Sequence, residues 1–245
     1  MRMRRKRNLD ERMNDLDRHL LVRETPDYFK EEVHTEHIIN LSDAFGNDNP
    51  LWLELGCGKG KFAFDTARLN PNVNLIAVEK ISNVIIEPCE RAKEENPANL
   101  AFMNCGVENL DRHLPENCAD RIFLNFSCPY PKYTYRNRRL TYGRYLELYK
   151  KLLKPHGEIW LKTDNQGFFE YSLQTLSENG YKLKNISLDL HKSAFEGNVT
   201  TEYEELFSSL GKPIYRLEAY LKTAAKSVLR GFFRSKNRSA SIYIR

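Results

Sequence analysis

The chain has 245 residues, 41% hydrophobic and 29% charged, with a net charge of +5. That fits one domain of about 200–250 residues with short appendages and a substantial core. Five cysteines, an odd number without a C-x-x-C pair, exclude a disulfide framework and a structural zinc site, and no apolar run approaches the ~20 residues of a membrane helix.

The first 48 residues are charged and weakly patterned, and we expect one short helix between Asp10 and Val22. From Pro50 the pattern changes. Strands are expected at 51–55, 74–79, 100–103, 121–126 and 157–163, alternating with helices at 61–69, 82–95, 142–153 and 167–179. Ser82 is a candidate cap for the second of these helices, and Gly180 a stop for the fourth. Two longer strands of alternating polarity, 181–191 and 214–222, flank a loop and a short helix at 202–210. Short, fully apolar strands alternating with helices predict a parallel sheet covered on both faces. The last two strands predict an antiparallel pair at one edge. The expected fold is therefore a Rossmann-like class I methyltransferase fold with a mostly parallel seven-stranded sheet. Its domain spans 49–222, after a basic N-terminal extension (1–48) and before a basic tail (223–245). The basic N-terminus has no apolar stretch behind it, so a secretory leader is not expected, and a reducing, cytoplasmic setting is.

Charge is unevenly spread. Five of the first seven residues are basic, no acid lies between Arg121 and Leu146, and seven basic residues with no acid follow Glu218. Three such zones with interleaved aromatics are an electrostatic footprint for a polyanion such as RNA.

Leu53-Glu-Leu-Gly-Cys-Gly-Lys-Gly60 joins the first long strand to its helix. Gly56 and Gly58 let the backbone turn tightly and approach a ligand. Glu79 ends the next strand, where an acid can accept both hydroxyls of a ribose. A dinucleotide fingerprint would need glycine at 61, where Lys61 stands, and Glu54 would repel a pyrophosphate. Glu54 suits the amino group and sulfonium of S-adenosylmethionine, the cofactor expected here. After the third strand, Asn104 either holds an adenine amino group or closes a turn.

The segment Asn125-Phe-Ser-Cys-Pro-Tyr-Pro-Lys132, followed by Tyr133-Thr-Tyr-Arg-Asn-Arg-Arg-Leu140, places Lys132, Arg136, Arg138 and Arg139 among tyrosines at a strand end. Together with Lys162-Thr-Asp-Asn165, and Thr201-Glu-Tyr-Glu204 before Gly211-Lys-Pro-Ile-Tyr215, it makes the chain resemble the tRNA (guanine-N7-)-methyltransferase family from its first residues to about Lys222. The resemblance implies methyl transfer from S-adenosylmethionine to a guanosine at position 46 of the tRNA variable loop. It implies cofactor contacts at Glu54, Glu79 and the Asn104 region, and substrate contacts at Lys132, Asp164, Thr201 and Glu204. Cys128 stands where the family usually has an aspartate taken as catalytic or cofactor-contacting, and Tyr130 where it has tryptophan.

The residue chemistry points the same way. A carboxylate accepts both N–H donors on the Watson–Crick edge of guanine, for which Asp164 and Glu204 are candidates. The alternatives are a helix cap at Asp164 and a solvated helix face at Glu204. Arg136, Arg138 and Arg139 suit phosphates and exposed bases of folded RNA. Guanine N-7 has an in-plane lone pair and no proton, so its methylation requires no general base, and Cys128 bears on rate more than on reaction type. Two other readings stay open: a catalytically weakened tRNA-binding relative, and an RNA methyltransferase of another base specificity. Neither requires a metal or a membrane, and a monomer or a homodimer would serve.

Overall fold

Strands β2 (Leu51–Leu55), β3 (Asn74–Val78) and β4 (Leu100–Asn104) are buried almost throughout, which is why they read as unbroken apolar runs. The computed structural model describes residues 4–16, 19–24 and 37–222. Within them lie β5 (Ala119–Asn125), β6 (Leu153–Thr163), β7 (Tyr181–Ser187) and β8 (Tyr215–Leu221), and an additional strand, β1 (Leu20–Arg23). The sheet order is β1-β4-β3-β2-β5-β6-β8-β7. All neighbouring pairs are parallel except β6–β8 and β7–β8. The chain moves outward from β2 to β3 and β4, then returns to lay β5 on the other side of β2. The carboxyl ends of β2 and β5 thus meet at the topological switch point, where open α/β sheets bind ligands.

Helices cover both faces. Helices α1 (Leu9–Asn14), α3 (Lys61–Leu69) and α4 (Ser82–Glu95) contribute Leu9, Met13, Phe64, Ile85 and Cys89 to a core against Leu75, Ala77 and Phe102. On the opposite face α5 (Gly143–Leu152) and α6 (Gln166–Glu178) pack Tyr149, Leu152, Phe168 and Phe169 against Leu53, Ile122 and Ile159. Strand β5 shows the division plainly, with Ile122 and Leu124 fully buried on that second face. Arg121 and Phe123 point the other way, and the Arg121 guanidinium lies between Trp52, 4.3 Å from the ring centroid, and Trp160, at 3.8 Å.

The structure corrects three expectations. The helix foreseen between Asp10 and Val22 ends at Asn14, and Leu20–Arg23 is a strand, so the sheet has eight strands rather than seven. Its signal, Leu-Leu-Val, is too short to read alone and is completed by β4: Phe102 N–H donates to His19 O, and Glu24 N–H to Asn104 O. Ser82 does not cap α4. Its hydroxyl donates instead to Asn104 Oδ1. The tail at 223–245 lies outside the described residues.

Part of the N-terminal extension is therefore integral to the sheet. Glu24, just past β1, has a nearly buried side chain that accepts hydrogen bonds from Gly106 N–H (3.1 Å) and Asn109 Nδ2 (3.0 Å), with His113 Nε2 at 3.3 Å. Burial opposes its ionisation, but these bonds prevail and hold its pKa below the ordinary value. We expect Glu24→Ala to lower the unfolding free energy by about 2–3 kcal/mol, the cost of stranding buried donors. A urea midpoint within error of wild type would contradict this.

Candidate active site at the glycine loop

After Leu55 the chain must turn within a few residues to start α3. Gly56, Gly58 and Gly60 do so with φ of 84°, 56° and 81°. Gly56 and Cys57 N–H donate to Val78 O, tying the loop to β3. A Cβ on Gly60 would lie 2.8 Å from Pro88 Cβ, so this glycine lets α3 begin against α4. A Cβ on Gly56 or Gly58 would meet nothing within 4 Å. Those two glycines face open space.

Glu54 precedes the loop and is 2% exposed. Its Oε1 accepts from Asn125 Nδ2 at 3.1 Å, across the switch point from β5. Its Oε2 is buried without a partner among the described residues. Burial pushes the carboxyl pKa up to about 8, against the pull of Asn125 and Lys162 and with some help from Glu202 and Glu79. Near neutral pH the group holds its proton, and a cation arriving at the orphan oxygen would favour its release. Glu79 accepts from Ile81 N–H at 2.9 Å, and its pKa is also raised by burial.

Two adjoining clefts open here. One, of ≈ 610 Å³, is lined by Glu54, Asn125, Lys6, Thr201 and Glu202. The other, of ≈ 480 Å³, is lined by Glu79, Val107, Cys128, Tyr130 and Arg138. Both contain Gly56, Gly58, Phe126 and Tyr203, so they form one trough across the glycine loop.

The structure brings Glu54, Gly56, Gly58, Glu79, Cys128, Arg138 and Thr201 to this trough. Asn104 stands behind it. Its amide donates to Glu79 O and accepts from Ser82 Oγ, so it holds the corner that presents Glu79. Val107, beyond β4, lines the trough instead.

Glu204 is fully buried. Its carboxylate is bound by Lys162 Nζ at 2.6 Å and by Asn198 Nδ2, and lies 3.2 Å from His191 Nε2. The expectation of a base contact there meets a carboxylate already engaged on all sides. The acid of α7 (Glu202–Ser209) that reaches the trough is Glu202. Thr201 caps α7, its Oγ1 accepting from Glu204 N–H at 3.0 Å. Asp164 is not a helix cap, a role that Asn165 takes. Its Oδ2 accepts from Lys212 Nζ at 3.1 Å.

Lys132 is exposed beyond the turn. Arg136 stacks on Tyr133 at 3.9 Å and Arg138 on Tyr135 at 4.8 Å, forming two arginine–tyrosine couples whose rings are exposed. Arg139 turns inward: its guanidinium donates to Pro129 O and Tyr130 O, both at 3.0 Å, and covers Tyr171. It shapes the loop. At the N-terminus Arg5, Lys6 and Arg12 pair with Asp10, Glu87 and Glu90.

Residues 48–217 match a family described as "Putative methyltransferase". The chain is 48% identical over 183 residues to the tRNA (guanine-N(7)-)-methyltransferase of Geobacillus sp. (strain WCH70), covering 75% of this chain and 83% of that protein. The chain belongs to the tRNA (guanine-N7-)-methyltransferase family. It is an enzyme that uses S-adenosylmethionine. Among solved structures, the antibiotic-resistance methyltransferase Kmr matches with a TM-score of 0.53 at 16% identity, over 75% of this chain and 92% of that one. The cyclase SpnF matches with 0.53 at 15% identity, over 75% and 81%. Likeness at that distance shows the fold alone, and a cyclase on the same sheet illustrates why.

Sequence reasoning gave no individual role to Asn125, Lys162 or Glu202, although all three lie within the quoted motifs. Strand alternation gives part of the signal: Asn125 shares a face with Phe123 and Arg121, opposite Ile122 and Leu124. The pairing of Lys162 with Glu204 spans 42 positions and carries no local signal.

The buried acid makes a prediction about stability. The folded state keeps a proton on Glu54 that the unfolded chain gives up, from the ordinary 4.5 to about 8. Stability attributable to this group therefore falls as pH rises through that window. Glu54→Gln should gain on wild type in urea midpoint between pH 5.5 and 8. A constant difference across that range would refute the buried, protonated state.

Proposed function

We propose that this family member methylates N-7 of the guanosine at position 46 of the tRNA variable loop, with the trough as its active site. The observation that carries the site assignment is Glu54: a buried carboxyl with one unpartnered oxygen, at the head of a glycine loop whose open side faces the switch point. This donor set fits S-adenosylmethionine. Glu54 and the Gly56–Gly58 backbone would receive its cationic end, and Glu79, held by Ile81 N–H and backed by Asn104, its ribose. The cofactor supplies an electrophilic methyl group on a positive sulfur.

The chain's own residues then have mainly to align the base and exclude water. Positioning alone supplies up to about 7–11 kcal/mol of barrier reduction. Asp164, just past β6 and paired with Lys212, and Glu202, which lines the trough, are acids of suitable chemistry for the two N–H donors of guanine. Glu204 contributes indirectly. Through Lys162 it pins residues 198–204 and so presents Thr201 and Glu202 to the trough. Lys132, Arg136 and Arg138, with Tyr133 and Tyr135, offer cations and stacking faces to the tRNA backbone and loops. Arg139 keeps that loop in shape. A cytoplasmic setting suits five cysteines that are all unpaired.

Cys128 is exposed and lines the half of the trough that also holds Glu79. Because N-7 carries no proton, the thiol needs to serve neither as base nor as nucleophile. Cys128→Ser should keep the methylation rate within about threefold, far short of the ~10²–10³ lost with an electrostatic catalyst. The decisive assay incubates the protein with labelled S-adenosylmethionine and unmodified tRNA, then maps 7-methylguanosine by mild reduction and aniline cleavage. Cleavage at a variable-loop guanosine supports the reading. Cofactor binding without cleavage there would overturn it.

A further inference from the structure

We infer that Tyr203 is the face on which the target guanine is stacked as it becomes positively charged, which makes it a catalytic residue acting through a cation–π contact. The inference rests on the guanine-N-7 reading above. Tyr203 is 57% exposed although it lies in the first turn of α7 and lines both halves of the trough. Its neighbours on either side are fixed: Thr201 by its cap and Glu204 by Lys162. The ring therefore stands at the trough on an anchored backbone, the condition for a preformed binding face.

It does not stand alone. The rings of Tyr203, Phe126 and Phe207 form a triangle with centroids 6.0–6.4 Å apart, and Tyr203 is near parallel to both others, at 27° and 22°. Phe126 reaches this triangle from a left-handed backbone with φ of 49°, uncommon for a bulky residue, and is held there by its N–H to Lys162 O. Such conformations gather at functional sites. The cluster already holds one cation: Lys212 Nζ lies 4.5 Å from the Phe207 centroid while pairing with Asp164.

The chemistry supplies the second cation. As the N-7 lone pair forms the new C–N bond, the electrons of the breaking C–S bond stay on sulfur. No proton moves, and the formal positive charge passes to the five-membered ring of guanine. An electron-rich aromatic face attracts a stacked cation more than a neutral base. The contact therefore strengthens as the charge develops and acts on the transition state more than on binding. If Tyr203 served only to pack α7 on Phe126, an aliphatic residue would replace it without kinetic cost.

The test is single-turnover kinetics at saturating tRNA and cofactor for wild type, Tyr203→Phe and Tyr203→Leu, with urea midpoints checking that each folds. Tyr203→Phe should stay within about twofold of wild type and Tyr203→Leu should fall about tenfold, with KM for tRNA little changed. In a parallel titration in the presence of S-adenosylhomocysteine, wild type should bind 7-methylguanosine monophosphate more tightly than guanosine monophosphate, and Tyr203→Leu should lose that preference. A Leu variant with the wild-type rate, a loss confined to KM, or a retained preference would each overturn the inference while leaving the functional reading intact. A wild-type protein that forms no 7-methylguanosine would overturn both.

Discussion

One buried carboxyl organises this molecule. Glu54 sits near the end of β2, and its hydrogen-bond partner among the described residues is Asn125, at the end of β5. These two strands are parallel neighbours, and the bond spans the switch point where the strand order reverses. Burying an acid with one oxygen unsatisfied is costly, and the protein meets the cost by retaining a proton. The same arrangement leaves a latent negative charge beside a loop of glycines that keep their side of the trough free of side chains. A cationic ligand is the natural completion of that site.

Around this point the neighbouring elements act as supports. Asn104 braces the corner that presents Glu79. Lys162, itself buried, gathers Val199 O, Asn198 and Glu204 and brings the 198–204 segment to the edge of the trough. Removing either partner of that pair would strand the other in a low-dielectric interior. Arg139, first among equals in sequence with its neighbouring cations, has become part of the scaffold, while Arg136 and Arg138 stay on the surface. Basic residues one and three positions apart thus divide between shaping a loop and presenting charge.

Much of this was legible in the sequence. Apolar strands after Pro50, the glycine loop and the two acids flanking it follow from local pattern, because buried parallel strands and tight turns restrict residue type directly. Strand β1 was not legible, since three apolar residues make a strand only when β4 is there to receive them. Side-chain direction was the other limit. Glu202 and Glu204 differ by two positions in one helix, and the chain alone does not say which faces the trough and which turns inward to Lys162. Type and place leave Asn104 open as an adenine contact or a turn closer, and its buried amide bonds Glu79 O and Ser82 Oγ. Cys128 is exposed in the same cleft as Glu79.

The most direct test of the central claim is a count of protons on cofactor binding. Calorimetric titration of S-adenosylmethionine at pH 7, in two buffers of different ionisation enthalpy, measures protons released per molecule bound, and comparison with Glu54→Gln removes the ligand's own ionisation. A buried acid that surrenders its proton to a cation predicts that wild type releases about one proton more than the variant. Equal release from the two proteins would mean that Glu54 does not meet the cofactor's charge, and the site as described here would be wrong.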